Sequence, residues 1–216
     1  MIACKSSIFI DELAVCKAKV DVGFIIDSSQ SISYEGYKKM QTFMKAISVY
    51  LGFAPDALHV GAVLYSKEAK VWTRFKEIVH LRKWFKKLWR MPHYRGVTRI
   101  DLGLDVANTQ LFTKKSGMRD DAIKIAILLT DGEQTTRGIK DLIPLREAAD
   151  KLRERDITVF TVGIGTSVRK DQLLEIAKTS EYIITLSSFN ELEAKTRKMA
   201  KDVCQLVNGM SVLYVI

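Results

Sequence analysis

Within five residues, Asp27-Ser28-Ser29-Gln30-Ser31 gathers a carboxylate and three hydroxyls. Alternation along an extended chain aims Asp27, Ser29 and Ser31 the same way. Oxygen ligands pointing together suit a hard cation such as Mg²⁺, Mn²⁺ or Ca²⁺, and nothing soft. The same serines would also serve as caps of a following helix, and five residues alone do not choose between the two. A second carboxylate, Asp131, stands in Thr130-Asp131-Gly132-Glu133, and a further hydroxyl, Thr98, closes the loop Gly96-Val97-Thr98.

Both aspartates follow long apolar runs. Val20 to Ile26 and Ile123 to Thr130 have the composition of strands buried on both faces, as in parallel sheets. If these strands are neighbours, about 4.8 Å apart, Asp27 and Asp131 face one another where open α/β sheets bind ligands. Two carboxylates so close repel unless a cation or a proton lies between them.

The elements that must position these groups alternate along the chain. A helix is expected over Tyr34 to Leu51, a strand over Leu58 to Tyr65 and an antiparallel edge strand over Ala69 to Phe75. Helices follow at Glu77 to Met91 and Arg99 to Phe112, and a strand at Ile123 to Thr130. Asp141 is expected to cap a helix running to Glu154, with Pro144 in its first turn. Then come a strand at Ile157 to Ile164, a helix at Lys170 to Lys178 and a strand at Tyr182 to Leu186. Ser188 to Glu191 reads as a capping box opening a last helix through Cys204. This pattern predicts an α/β fold: a doubly wound, mostly parallel sheet of about six strands, one antiparallel edge strand, and helices on both faces.

At 216 residues the chain is long enough for one well-filled domain, and 47% hydrophobic with 27% charged residues excludes bulk disorder. No run is long enough for a membrane span, and Ser6 to Ile10 is too short for a signal peptide. The chain is therefore read as intracellular or as an excised piece of something longer, the apolar ending Ser211 to Ile216 favouring the piece. A net charge of +9 favours acidic partners or anionic surfaces without indicating nucleic acid. Much of it lies between Arg82 and Arg90, where Arg82, Lys83, Lys86, Lys87 and Arg90 oppose an apolar stripe of Leu81, Trp84, Phe85, Leu88 and Trp89. That face is either a heparin (glycosaminoglycan), membrane-surface or nucleic-acid patch, or the solvated side of an amphipathic core helix.

Cys4, Cys16 and Cys204 contain no close pair, which argues against a zinc cluster. A Cys16–Cys204 bridge would tie the two ends of the domain and contribute about 5 kcal/mol on the loop-entropy view; in a reducing compartment both would be small apolar residues. Cys4 is then the odd cysteine.

Asp-x-Ser-x-Ser after the first strand, the Gly-Val-Thr loop, Leu-Leu-Thr-Asp-Gly-Glu at 128–133 and Thr-Val-Gly-Ile-Gly at 161–165 together resemble a von Willebrand factor type A domain, integrin I-like and of the matrix or adhesive type. The likeness covers residues 17 to 204, between extensions at 1–16 and 205–216. It implies a metal-ion-dependent adhesion site of Asp27, Ser29, Ser31, Thr98 and Asp131, holding Mg²⁺ or Mn²⁺ in preference to Ca²⁺. It also implies a partner protein whose Glu or Asp completes the coordination. Gln30 and Arg95 stand where the family commonly has glycine, and Ile100 where threonine is frequent; none of these removes a ligand. Gln30, Arg95, Arg99 and Glu133 are candidate rim or partner contacts, the two arginines being either an attraction for an acidic partner or a solvated loop.

The implied function is adhesion to an extracellular matrix protein such as collagen, from a secreted protein. The competing reading is an intracellular type A domain that assembles a multiprotein complex. In integrin-type members the last helix shifts with the metal ligands, and a Cys16–Cys204 bridge would restrain that shift. Catalysis is excluded on its motifs: the chain has no Asp-x-Asp after the first strand, no Gly-x-Ser-x-Gly elbow, no P-loop and no spacing of His59, His80 and His93 that makes a base.

Overall fold

The computed structural model describes residues 19–54, 56–78 and 80–213, with side chains through residue 206. The expected extension at 1–16, with Cys4 and Cys16, lies outside the described residues.

Six strands form one sheet: β1 (Val20–Asp27), β2 (Leu58–Tyr65), β3 (Ala69–Thr73), β4 (Ile123–Thr130), β5 (Ile157–Ile164) and β6 (Ile183–Leu186), in the order β3-β2-β1-β4-β5-β6. Only β3 is antiparallel. Every residue of β1 is buried, because helices cover both faces. On one side Phe24 and Ile26 pack with α1 (Tyr34–Tyr50), α2 (Leu81–Trp89) and α6 (Glu191–Leu213). On the other, Ile25 packs with α3 (Ile100–Val106), α4 (Leu145–Arg153) and α5 (Lys170–Ala177). The expected doubly wound α/β fold is the observed one.

The order reverses between β1 and β4, which pair in parallel with Ile26 opposite Leu129. That is the switch point, where the loops after two neighbouring strands leave in different directions and open a crevice. Asp27 and Asp131 both sit at it.

Several element ends differ from the sequence expectation. The segment expected as one helix from Glu77 begins as a 3₁₀ turn, Phe75–Glu77, and restarts at Leu81 with His80 capping it: Lys83 N donates to His80 Nδ1 at 3.0 Å. Trp89 is 81% exposed and does not belong to the apolar stripe. At 100° per residue it lies about 120° around the helix from the Trp84–Leu88 centre, too far to reach the sheet. The helix expected through Phe112 ends at Val106 and widens into a π turn, Ala107–Leu111. Asp141 does not cap α4; Pro144 takes that position, and the Asp141 carboxylate meets Arg99 at 3.3 Å. At the start of α6, Glu191 reaches back to Ser187 rather than Ser188, and the helix continues past Cys204 to Leu213.

Candidate metal centre

Asp27 is the last residue of β1 and is fully buried. Its two oxygens are both engaged: Oδ1 accepts from the Ser29 amide at 2.8 Å and Oδ2 from the Thr130 hydroxyl at 2.8 Å. The first bond spans i to i+2, the Asx-turn geometry open to a short carboxylate side chain. It bends the chain out of the strand at once. The hydroxyls therefore converge through a turn and not, as expected, through strand alternation. Ser29 and Ser31 bring their Oγ atoms to 3.0 Å, and Ser31 donates to Asp131 Oδ1 at 2.7 Å. Neither serine caps a helix. Ser33 does that, accepting from the Gly36 amide at 3.0 Å, so the helix-cap alternative for Ser29 and Ser31 falls away.

Thr98 arrives on the loop before α3. Its amide donates to Thr135 Oγ1 at 3.1 Å and its carbonyl accepts from Thr135 N at 2.8 Å, a two-way tie to the loop after β4. The tie brings its hydroxyl beside Gly132: a Cβ added there would stand 3.9 Å from Thr98 Oγ1. The loops after β1 and before α3 are also joined, since Gln30 N donates to Gly96 O at 2.9 Å and Arg95 N to Ser28 O at 2.7 Å. The five residues expected from sequence thus lie on three loops cross-tied at one end of the sheet.

Burial pushes the Asp27 carboxyl up to about 6, against the lowering effect of the bonds from Ser29 and Thr130, and the Asp131 charge pushes the same way. Burial raises Asp131 as well, with the Ser31 bond opposing it. A carboxylate held in that state is stabilised by a proton or a cation. The donor set around it is all oxygen, two carboxylates and three hydroxyls, which fits a hard divalent ion. Among the described residues no group of three or more His, Cys, Asp or Glu is placed to hold a metal. Three of the five candidate ligands are hydroxyls, Ser29, Ser31 and Thr98.

Two supporting residues had no signal in the sequence. His93 Nε2 meets the Ser29 carbonyl at 2.9 Å, and its ring stacks on Tyr37 with centroids 4.4 Å apart. Tyr37 in turn donates to Pro92 O at 2.5 Å, and Ser28 Oγ accepts from Tyr94 N at 2.7 Å. Together they fix the backbone under Ser29. His93 was visible only as a lone histidine in a loop.

Of the candidate rim residues, Gln30 and Arg95 are exposed beside the centre, and Glu133 is exposed with Arg169 at 4.0 Å. Arg99 is not at the rim, and this corrects the expectation of an arginine facing the partner. It is 4% exposed, donates to both oxygens of Asp101 at 2.8 Å and reaches Asp141. Gln134 completes this cluster, donating to Asp101 Oδ1 at 2.6 Å and accepting from Asp101 N at 3.2 Å. Arg99 anchors the start of α3 to the loop after β4, directly behind Thr98.

The family model of the von Willebrand factor type A domain matches residues 21–198. The chain is 31% identical over 188 residues to the human collagen alpha-5(VI) chain, covering 87% of this chain and 7% of that one. It is 28% identical over 185 residues to mouse integrin alpha-X, covering 82% and 15%. Among solved structures it resembles proximal thread matrix protein 1 from the mussel byssus, whose adhesion-site motif (MIDAS) is occupied by zinc. There the TM-score is 0.81 and the identity 26%, over 88% of this chain and 49% of that one. The chain spans less than a tenth of the collagen chain it matches.

Proposed function

The chain belongs to the von Willebrand factor type A domain family, and on that premise we propose that it is a metal-ion-dependent binding module for an acidic side chain of an extracellular matrix protein, collagen first. The observation that carries the reading is the contact chain Ser29–Ser31–Asp131, with Asp27 buried behind it. Asp27, Ser29, Ser31, Thr98 and Asp131 would hold Mg²⁺ or Mn²⁺, and the ion, once bound, would offer a remaining coordination position to a partner carboxylate. Two carboxylates match the charge of a divalent ion without exceeding it, so an incoming anion meets no surplus of negative charge. Thr130 and the Ser29 amide keep Asp27 facing inward, leaving the exposed Ser31 and the half-buried Asp131 at the mouth. The role is binding, not catalysis. A secreted, extracellular setting is supported by relatives that are by name a collagen chain and a thread matrix protein.

The Cys16–Cys204 bridge is part of the proposal. Cys204 is buried on α6 and disulfide-bonded, while Cys16 lies outside the described residues. A bridge there tethers α6 and favours fixed affinity over a switch. Mass measured before and after reduction separates this reading from an intracellular assembly role with free thiols.

A second surface is favoured by α2. Arg82, Lys83, Lys86 and Arg90 are exposed around the exposed Trp89, a combination suited to sulfated glycosaminoglycan, whereas Lys87 is drawn to Glu77 at 3.3 Å. Charge reversal at Lys83 and Lys86 is expected to advance elution from immobilised heparin; unchanged elution would reduce that face to a solvated one.

The main test is retention on immobilised collagen with Mg²⁺ and again with EDTA. Retention that EDTA and Asp131→Ala each abolish is the expected result, and retention indifferent to both would refute the metal-dependent reading.

A further inference from the structure

A cleft adjoins the candidate metal centre. A cavity of about 340 Å³ is lined by Ser66, Lys67, Glu68, Lys70, Tyr94, Arg95 and Gly96. Its wall is continuous with the centre through the bonds from Gln30 N to Gly96 O and from Arg95 N to Ser28 O. Three cations line it against one carboxylate. Glu68 is engaged by Lys70 at 3.0 Å, and neither Arg95 nor Lys67 forms a salt bridge among the described residues. Tyr94 is 44% exposed and lies under the Lys70 ammonium, 5.9 Å from its ring centroid.

Arg95 is the informative member. Its φ of 60° is left-handed, a region in which an L side chain is strained and glycine is not, and Gly96 follows at 107°. The loop thus places an arginine where a glycine would fit the backbone better, and among the described residues no side-chain hydrogen bond or salt bridge of Arg95 accounts for it. Strain of this kind collects at ligand-holding positions. The Arg95 side chain borders the cavity and is exposed to whatever reaches the metal centre.

We propose that this cleft binds a second carboxylate of the same partner segment, so that the module selects a di-acidic sequence over a single acidic residue. The inference rests on the metal-dependent reading for the first carboxylate only. Guanidinium and ammonium groups facing one cavity suit carboxylate, Arg95 by its paired donors and Lys67 as a point charge. An extended partner segment turns side chains two positions apart to the same face, about 7 Å from one another. A second acidic residue two positions from the first therefore faces the protein together with it, on the side of the adjoining cleft.

The test uses two synthetic peptides, one carrying a single glutamate in a glycine-rich frame and one carrying a second glutamate two positions further on. Each is titrated into the isotope-labelled protein with Mg²⁺, and again with EDTA, following backbone amide shifts. The expected result with Mg²⁺ is that the second glutamate shifts the amides of Lys67, Lys70, Arg95 and Gly96 and tightens binding about tenfold. In Lys67→Gln combined with Lys70→Gln that gain is lost while the single-glutamate peptide binds as before; both side chains are exposed, so thermal stability is kept. Equal affinity for the two peptides, or a gain that survives in the double variant, overturns the cleft. Shifts at the cleft that persist in EDTA while those at Ser29 and Ser31 never appear would leave the cleft standing and remove the metal-dependent reading.

Discussion

Asp27 and Asp131 are the two carboxylates of the proposed metal centre, but they depend on neighbours that bear no charge. Asp27→Ala or Asp131→Ala is expected to remove Mg²⁺ binding while far-ultraviolet circular dichroism keeps its form, since the pairing of β1 with β2 and β4 is made by backbone groups and not by either carboxylate. Loss of the spectrum together with binding would instead make Asp27 a structural residue. His93→Ala takes away the 2.9 Å contact to the Ser29 carbonyl and the stacking on Tyr37. Losing one such contact is worth about 1 kcal/mol, so a roughly fivefold weaker Mg²⁺ affinity is expected by calorimetric titration, with unchanged affinity contradicting the positioning role. The five candidate residues could be picked out in the sequence because hydroxyl and carboxylate types stand at fixed offsets from apolar runs. The fate of Arg99 was not. Whether an arginine faces a partner or a buried aspartate depends on Asp101, Gln134 and Asp141 meeting it in space, and Gln134 lies 33 residues from Asp101.

At the scale of elements, the strands were read correctly where they are apolar and bounded by charge, and the helix ends were read poorly. β2, β4 and β5 run over the expected residues, because burial on both faces leaves few polar positions to blur them. The ends of α2, α3 and α4 are decided by contacts the sequence does not display: His80 as a cap, a π turn, and Arg99 drawing Asp141 away. α3 matters most, since it carries the loop of Thr98. It lies very close to the sheet at Gly103, where an added Cβ would stand 2.7 Å from the Tyr65 ring and 3.1 Å from Ile25. Gly103→Ala is expected to cost about 1–3 kcal/mol by overpacking, read as a lower urea midpoint with unchanged slope. A midpoint equal to that of the parent would mean that α3 can retreat without cost.

Across the whole molecule, the polar groups buried behind the candidate site tie stability to pH. Burial alone would raise the Asp101 carboxyl, but the bonds from Arg99, Gln134 and the Ile143 amide outweigh it and hold the group below its ordinary 3.8. A carboxyl lowered in the fold contributes stability that is present above 3.8 and is lost as pH falls from there through the lowered folded value. Asp101→Asn should therefore remove part of the acid dependence of the thermal midpoint below about pH 4, and should destabilise at pH 7 by about 3 kcal/mol by leaving Arg99 buried with its main partner gone. An acid limb identical to the parent's would show that Asp101 is not the group responsible. The fold as a whole was legible because strands and helices alternate in sequence and the switch point follows from their order. Its cleft beside the metal centre was not, since it is built from the β2–β3 turn and the loop before α3, some 30 residues apart by number and joined only in space. The central claim remains that three loops make one cation site, and titration of Mg²⁺ into the protein by calorimetry tests it most directly. The account predicts one ion per chain, with binding lost in Asp131→Ala; absence of binding at millimolar Mg²⁺, or binding that Asp27→Ala and Asp131→Ala leave untouched, would contradict it.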